Sequence, residues 1–334
     1  KHLQINTYIM KLTSIPNYIV LDKNLHQSGG YLNLEDKFNE NYNYITNILS
    51  DGQIYGKDKR AKNLNEVKHV DPFNKPFKYL YSRIFSFSKL YSIIKKKNNV
   101  TYNLNFLEFI IELFKRDYQK TVLRRHIKKN SKKPDLSKNF IYFALHYQPE
   151  RSTDPQSSYY SDQLIPLSIL NDIIPEDYII YVKEHPRQLN DNFPDIRKKH
   201  FRNIKFYEEI LKLGKVRLVD LHFPSEKLIK NAKLNCSCTG TNIWEGLYRY
   251  KKPGLSFGHS WLSSCLSTPS VLEKNEYEIK EIIISLLNKT TDEIHDNYED
   301  FLNHISKYGI ITSNVEPYEY LVSEENMVKN FVDV

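Results

Sequence analysis

The sequence predicts an α/β protein whose later half is a doubly wound parallel sheet. Between about residues 140 and 257 short apolar runs alternate with amphipathic stretches of helix length, and the loops richest in polar groups follow the apolar runs. Strands separated by single helices imply parallel neighbours with helices on both faces. Ligands of such sheets sit outside the carboxyl ends of the strands.

In chain order, Ile19-Val20-Leu21 closes a strand, Tyr42–Leu49 is a helix, and Phe106–Leu123 is a long amphipathic helix with apolar residues at helical spacing. The polar run Asn130-Ser131-Lys132-Lys133-Pro134-Asp135 marks a hinge between an N-terminal domain, 1–135, and a C-terminal domain, 136–334. Beyond it come strand Phe140–Leu145, a helix from about Tyr159 to Asn171, strand Tyr178–Lys183, helix Asn203–Leu213 and strand Val216–Leu221. Helix Ser225–Ala232, strand Leu234–Cys238, helix Ile243–Tyr250, strand Gly254–Phe257 and a helical finish from Glu276 complete the pattern. The opening Lys1-His2-Leu3-Gln4 lacks an initiator Met and an apolar core, so no signal peptide is expected and the first domain is expected to be incomplete.

With 334 residues, 40% of them hydrophobic, the chain can bury one large core or two ordinary ones. No apolar run approaches the roughly 20 residues that span a bilayer. Cys236 and Cys238 are too close along one strand for a normal disulfide, and no second Cys or His pair stands at zinc-ligand spacing. A reducing cytoplasm is the expected compartment. The net charge of +8 is uneven: Lys75 to Lys133 holds sixteen Lys and Arg against Glu108, Glu112 and Asp117, about +13, which leaves about −5 elsewhere. A solvated helical surface, a patch for anionic lipid or an anionic polymer, and a nucleic-acid groove all fit such a segment. No nucleic-acid motif accompanies it, so nucleic acid is not an expected partner.

Two stretches concentrate the chemistry. Tyr178–Val182 opens into Lys183-Glu184-His185-Pro186, and Thr239-Gly240-Thr241 leads into the helical pattern Ile243–Tyr250. Small hydroxyl residues at a helix start, with free N–H groups and a favourable dipole, suit a phosphate. Thr241 or Asn242 also reads as a plain N-cap, and Glu245 as a carboxylate near a helix N-terminus.

These stretches, with His146-Tyr147-Gln148-Pro149-Glu150-Arg151-Ser152-Thr153, Trp244-Glu245-Gly246, Lys252-Pro253 and Phe257-Gly258, resemble the capsule polysaccharide biosynthesis family. That family includes bacterial Kdo transferases and is similar, through its His-Pro motif, to bacterial sialyltransferases of the GT-B architecture. The likeness runs from about Phe140 to Ser260. It implies a GT-B-like fold of two Rossmann-like domains and a glycosyltransferase that moves a keto-acid sugar, Kdo or a nonulosonic (sialic-type) acid, from a CMP-activated donor to a glycan or lipid-linked acceptor.

On that resemblance His185 meets the donor phosphate and Pro186 ends the strand and fixes where His185 points. Thr239, Gly240 and Thr241 grip the same phosphate, and Glu245 accepts from ribose hydroxyls. His146, Arg151, Ser152 and Thr153 hold phosphate or carboxylate, for which Arg has a two-pronged fit. Lys183 neutralises the donor or pairs with a neighbour, and Glu150 accepts from sugar hydroxyls or is catalytic. The base for an inverting transfer would be Asp51, in Ser50-Asp51-Gly52, which is also a common turn; Glu35 and Asp36 are further carboxylates. No Asp-x-Asp motif appears and neither metal nor cofactor is expected. The location implied is cytoplasmic, peripheral on the inner face of the plasma membrane. An NDP-sugar or CDP-glycerol transferase of the same fold, or a noncatalytic binding subunit, remains open.

Overall fold

The computed structural model describes residues 9–15, 18–22, 35–50, 106–148, 153–154, 156–190 and 202–311. In chain order these form β1 (Ile9–Leu12), β2 (Tyr18–Asp22), α1 (Phe38–Ser50), α2 (Phe106–Asn130), β3 (Phe140–Ala144), α3 (Leu164–Ile173), β4 (Ile179–Lys183) and α4 (Pro186–Asn190). They continue with α5 (Ile204–Lys212), β5 (Val216–Leu218), α6 (Ser225–Asn231), β6 (Leu234–Ser237), α7 (Thr241–Tyr250), β7 (Gly254–Ser256), α8 (Glu276–Asn288), α9 (Thr291–Ser306) and β8 (Gly309–Ile311).

The expected parallel sheet is present, with five strands in the order β5-β4-β3-β6-β7. Successive side chains of β3 point to opposite faces, and both faces are covered, which is why Phe-Ile-Tyr-Phe-Ala reads as an unbroken apolar run. Ile141 and Phe143 pack with Leu167 and Leu170 of α3, Tyr207 and Ile210 of α5, Ile279 and Ile283 of α8, and Leu123 and Ile127 of α2. Phe140 and Tyr142 pack with Leu228 and Ile229 of α6. From β3 the chain runs outward to β4 and β5, then crosses to β6 and β7 on the other side, so the winding reverses between β3 and β6.

A smaller antiparallel sheet, β1-β2-β8, joins the early chain to the late chain. Ile15, Tyr18, Ile45 and Leu49 share a core with Ile243, Trp244 and Leu247 of α7 and with Tyr298, Phe301 and Ile305 of α9. The buried Tyr18 hydroxyl donates to the Ile305 carbonyl at 2.7 Å. Gly309 leaves room for that ring, since a Cβ there would lie 2.0 Å from the hydroxyl oxygen.

Most expected elements appear with ends shifted by one to three residues, and α2 runs on to Asn130. The expected helix from Tyr159 differs more: a 3-10 turn at Ser158–Ser161 gives way to α3 only at Leu164. Pro166 is the cause, because it has no N–H and its ring would collide with the carbonyl four residues back in a continuous helix. Pro186 does not end β4, which stops at Lys183; it is the first residue of α4, where a missing N–H costs nothing. The start of α7 is capped by Gly240 rather than by Thr241 or Asn242, with no side-chain capping bond.

Candidate functional site

The carboxyl ends of β4, β3 and β6 lie side by side, and the loops that leave them are tied together by buried polar side chains. His146, just past β3, is 7% exposed. Its Nε2 accepts from the Thr239 N–H at 3.0 Å, so the proton resides on Nδ1, which faces the Thr153 hydroxyl at 3.0 Å. Burial, followed by the nearby His185 and Arg202, holds its pKa down at about 3. A neutral imidazole therefore spans the place where the sheet reverses, the crevice in which doubly wound sheets take ligands.

On the other side of β3, Arg202 anchors the loops after β3 and β4 to each other. Its Nε donates to Glu184 Oε2 at 2.8 Å, Nη1 to Gln148 Oε1 at 2.5 Å and Nη2 to the His146 carbonyl at 3.0 Å. Both charged side chains are almost fully buried. Glu184 Oε2 also accepts from the Tyr207 hydroxyl at 2.6 Å, and Oε1 from the His185 N–H at 2.7 Å. Gln188 of α4 completes the tie: its Oε1 accepts from the Gln148 N–H at 2.8 Å and its Nε2 donates to the Gln148 carbonyl at 3.1 Å. This network fixes the direction in which the chain carries His185, whose half-buried ring lies 5.8 Å from that of Tyr147.

The third corner starts α7. The Gly240 N–H donates to Ser237 Oγ at 2.6 Å, and a Cβ on Gly240 would stand 2.5 Å from Asn242 Oδ1. Because φ there is −77°, the glycine answers a lack of space rather than a special backbone conformation. Thr239 is half-buried and Thr241 exposed. The Gly258 N–H donates to the Cys238 carbonyl at 2.7 Å and the His259 N–H to the Gln156 carbonyl at 3.0 Å, which brings the loop after β7 to the same edge.

Lys183 is 4% exposed and points to α6, where Nζ donates to Ser225 Oγ at 3.0 Å; burial lowers its pKa. Glu245, one turn into α7, is buried near Tyr142, whose phenol burial pushes far up. Thr153 is fully buried. Asp36 is exposed at a 3-10 turn before α1. Asp51, Glu150, Arg151 and Ser152 lie outside the described residues. Among the described residues no three His, Cys, Asp or Glu gather as a metal site, no helix is long and apolar enough to cross a membrane, and Cys236, Cys238 and Cys265 are free and buried.

Arg202, Gln188 and Tyr207 were not legible as site residues. Arg202 stands in a basic stretch with Arg197, Lys198 and Lys199, and only tertiary placement singles it out.

The state of His146 predicts an acid sensitivity. Its folded pKa lies below the ordinary value of 6.5, so between the two values the unfolded chain binds the extra proton and stability falls as the pH is lowered. Its contribution is complete above about pH 6.5 and is lost progressively toward pH 3. Urea unfolding should show a shallower decline across that window in His146→Gln than in the parent chain; parallel curves would refute the assignment.

No family model matches the chain, and no curated protein matches it. Among solved structures it is similar to the beta Kdo 2,7 transferase KpsC of Thermosulfurimonas dismutans, at 15% identity and TM-score 0.35, over 67% of this chain and 65% of that one. It is also similar to UDP-GlcNAc 2-epimerase of Methanocaldococcus jannaschii, at 16% identity and TM-score 0.33, over 55% of this chain and 46% of that one. A trehalose-6-phosphate structure from E. coli bound with UDP-2-fluoro glucose gives 11% identity and TM-score 0.34, with 55% of this chain and 46% of the other covered. The chain thus spans from under half to about two thirds of the length of these proteins, and likeness at this level assigns no chemistry to it.

Proposed function

We propose that the chain is a glycosyltransferase of bacterial surface polysaccharide synthesis that transfers a keto-acid sugar from a CMP-activated donor to a glycan or lipid-linked hydroxyl. The observation that carries this reading is the meeting of the three post-strand corners at the reversal of the sheet, with the N-terminus of α7 beside them. In the reaction the bond from the anomeric carbon to the phosphate oxygen breaks and CMP leaves with its electron pair. Groups that favour negative charge on that oxygen lower the barrier. His185, the hydroxyls of Thr239 and Thr241 and the N-terminal dipole of α7 serve this role, and Gly240 lets the ligand approach the backbone closely. Thr153, Glu184, His146 and Ser237 brace the corner from below, the last two by holding the Thr239 and Gly240 N–H groups. Lys183 and Glu245 lie on the α6 side, where a nucleoside would rest. Arg151 and Ser152 take the donor carboxylate. With inversion, the acceptor proton passes to a carboxylate, for which Asp51 and Glu150 are our candidates. Residues 1–135 form the acceptor side, and the enzyme works in the cytoplasm at the inner face of the plasma membrane.

Calorimetry with CMP, CDP and UDP tests the reading. CMP is expected to bind most tightly, and His185→Ala to weaken it about 10- to 150-fold, the worth of one hydrogen bond to a charged group. Preference for UDP would reject the cytidylate donor in favour of an NDP-sugar. Tight CMP binding without turnover of CMP-Kdo or CMP-sialic acid on any glycan would make the chain a binding subunit.

A further inference from the structure

We infer that the outer face of α2 is a docking surface for an anionic membrane. Residues 107, 111, 115, 118, 122, 125 and 129 follow the roughly 3.6-residue helical repeat and so share one side. Leu107 is 67% exposed, Ile111 43% and Tyr118 54%, three large apolar groups on solvent at one end of a single stripe. Lys115 lies between Ile111 and Tyr118 on this stripe, Arg125 and Lys129 continue it, Lys128 is exposed in the last turn, and Lys132 and Lys133 are exposed beyond the helix end. Against these stand Glu108, also exposed, and Glu112, which pairs with Lys115 at 2.9 Å.

A helix that pairs apolar and aromatic side chains with cations on its wet face has the composition of an interfacial element. Long basic side chains can lie along the apolar surface and reach the head groups, and a tyrosine suits the same boundary. The sign of the charge selects anionic lipid over a neutral surface.

The opposite face of α2 is committed elsewhere. Leu123 and Ile127 enter the main core, Asp117, Lys120 and Thr121 are buried, and Arg124 donates to the Leu189 carbonyl of α4. Since α4 begins at Pro186, directly after His185, a membrane seated on the outer face would lie one helix away from that corner. Docking does not rest on the proposed chemistry: a chain that binds vesicles without moving sugar keeps this inference and loses the other.

Sedimentation of the full chain with vesicles of phosphatidylglycerol and phosphatidylcholine decides it. Binding is expected to exceed that to phosphatidylcholine alone and to fall with added salt. Changing Lys128, Lys129, Lys132 and Lys133 to Gln should weaken it by about fivefold for each cation removed. The triple variant Leu107→Ser, Ile111→Ser, Tyr118→Ser should weaken it at least tenfold with an unchanged melting temperature. Failure to bind anionic vesicles, or a triple variant that binds like the parent, overturns the proposal. So does a self-association by sedimentation equilibrium that this triple variant abolishes, because a second copy would then cover the stripe.

Discussion

Replacing Arg202 with alanine is expected to cost about 3–5 kcal/mol of folding stability, among the largest losses any single side chain here can cause. The pair with Glu184 has side chains 2% and 1% exposed, so the change strands a carboxylate where water cannot reach it. It also removes donors from Gln148 Oε1 and the His146 carbonyl, both buried. Arg202→Lys keeps the charge but presents a single ammonium to three acceptors held in a fork, so it should recover only part of the loss. The decisive comparison is Arg202→Met with and without Glu184→Met. If burial of an unpaired charge dominates, the double variant is more stable than the single one. Urea midpoints supply every value, and an Arg202→Ala chain within about 1 kcal/mol of the parent would show that the network does not hold the corners.

That network also marks where sequence reasoning ends. The strands were legible because their burial on two faces leaves continuous apolar runs, and the helices between them because amphipathic stretches of helix length fill the gaps. The capping boxes of Asn275 with Glu278 and Thr290 with Glu293 divide the single expected helical finish into α8 and α9, a signal the apolar pattern alone does not carry. The corners themselves were legible as polar groups after strands. What each side chain does there was not. His146 reads like a ligand-binding histidine until both of its nitrogens are found engaged at 3.0 Å, and Glu184 reads as an acid paired with some neighbour, with nothing in the sequence to say that the neighbour is Arg202. The partners lie 7, 93 and 18 residues away, so no local pattern encodes the choice. The pairing of β2 with β8 is equally silent, since antiparallel partners nearly the whole chain apart leave no shared turn.

Replacing Trp244 with alanine is expected to cost a further large amount, about 3–5 kcal/mol, because a fully buried indole leaves a cavity its neighbours fill poorly. Its ring lies 5.0 Å from Trp261, 5.5 Å from Tyr248, 6.2 Å from Tyr298 and 6.4 Å from Phe301, so one side chain joins α7 to α9 and to the loop after β7. Tyr248 continues the link by donating to the Leu49 carbonyl at the end of α1. The N-terminus of α7 is held from a different side, by His146 on Thr239, by Ser237 on Gly240, and by Asn242 Nδ2 donating to the Cys236 carbonyl at 3.2 Å. The two ends of α7 therefore separate in their consequences. Trp244→Phe, a milder truncation, should lower the urea midpoint and speed proteolytic cleavage within residues 9–50, while leaving CMP affinity within about twofold, since the indole lies outside the corner proposed to meet the phosphate. Loss of CMP binding in a folded Trp244→Phe chain would show that the aromatic cluster, and not the β6 edge, positions the start of α7.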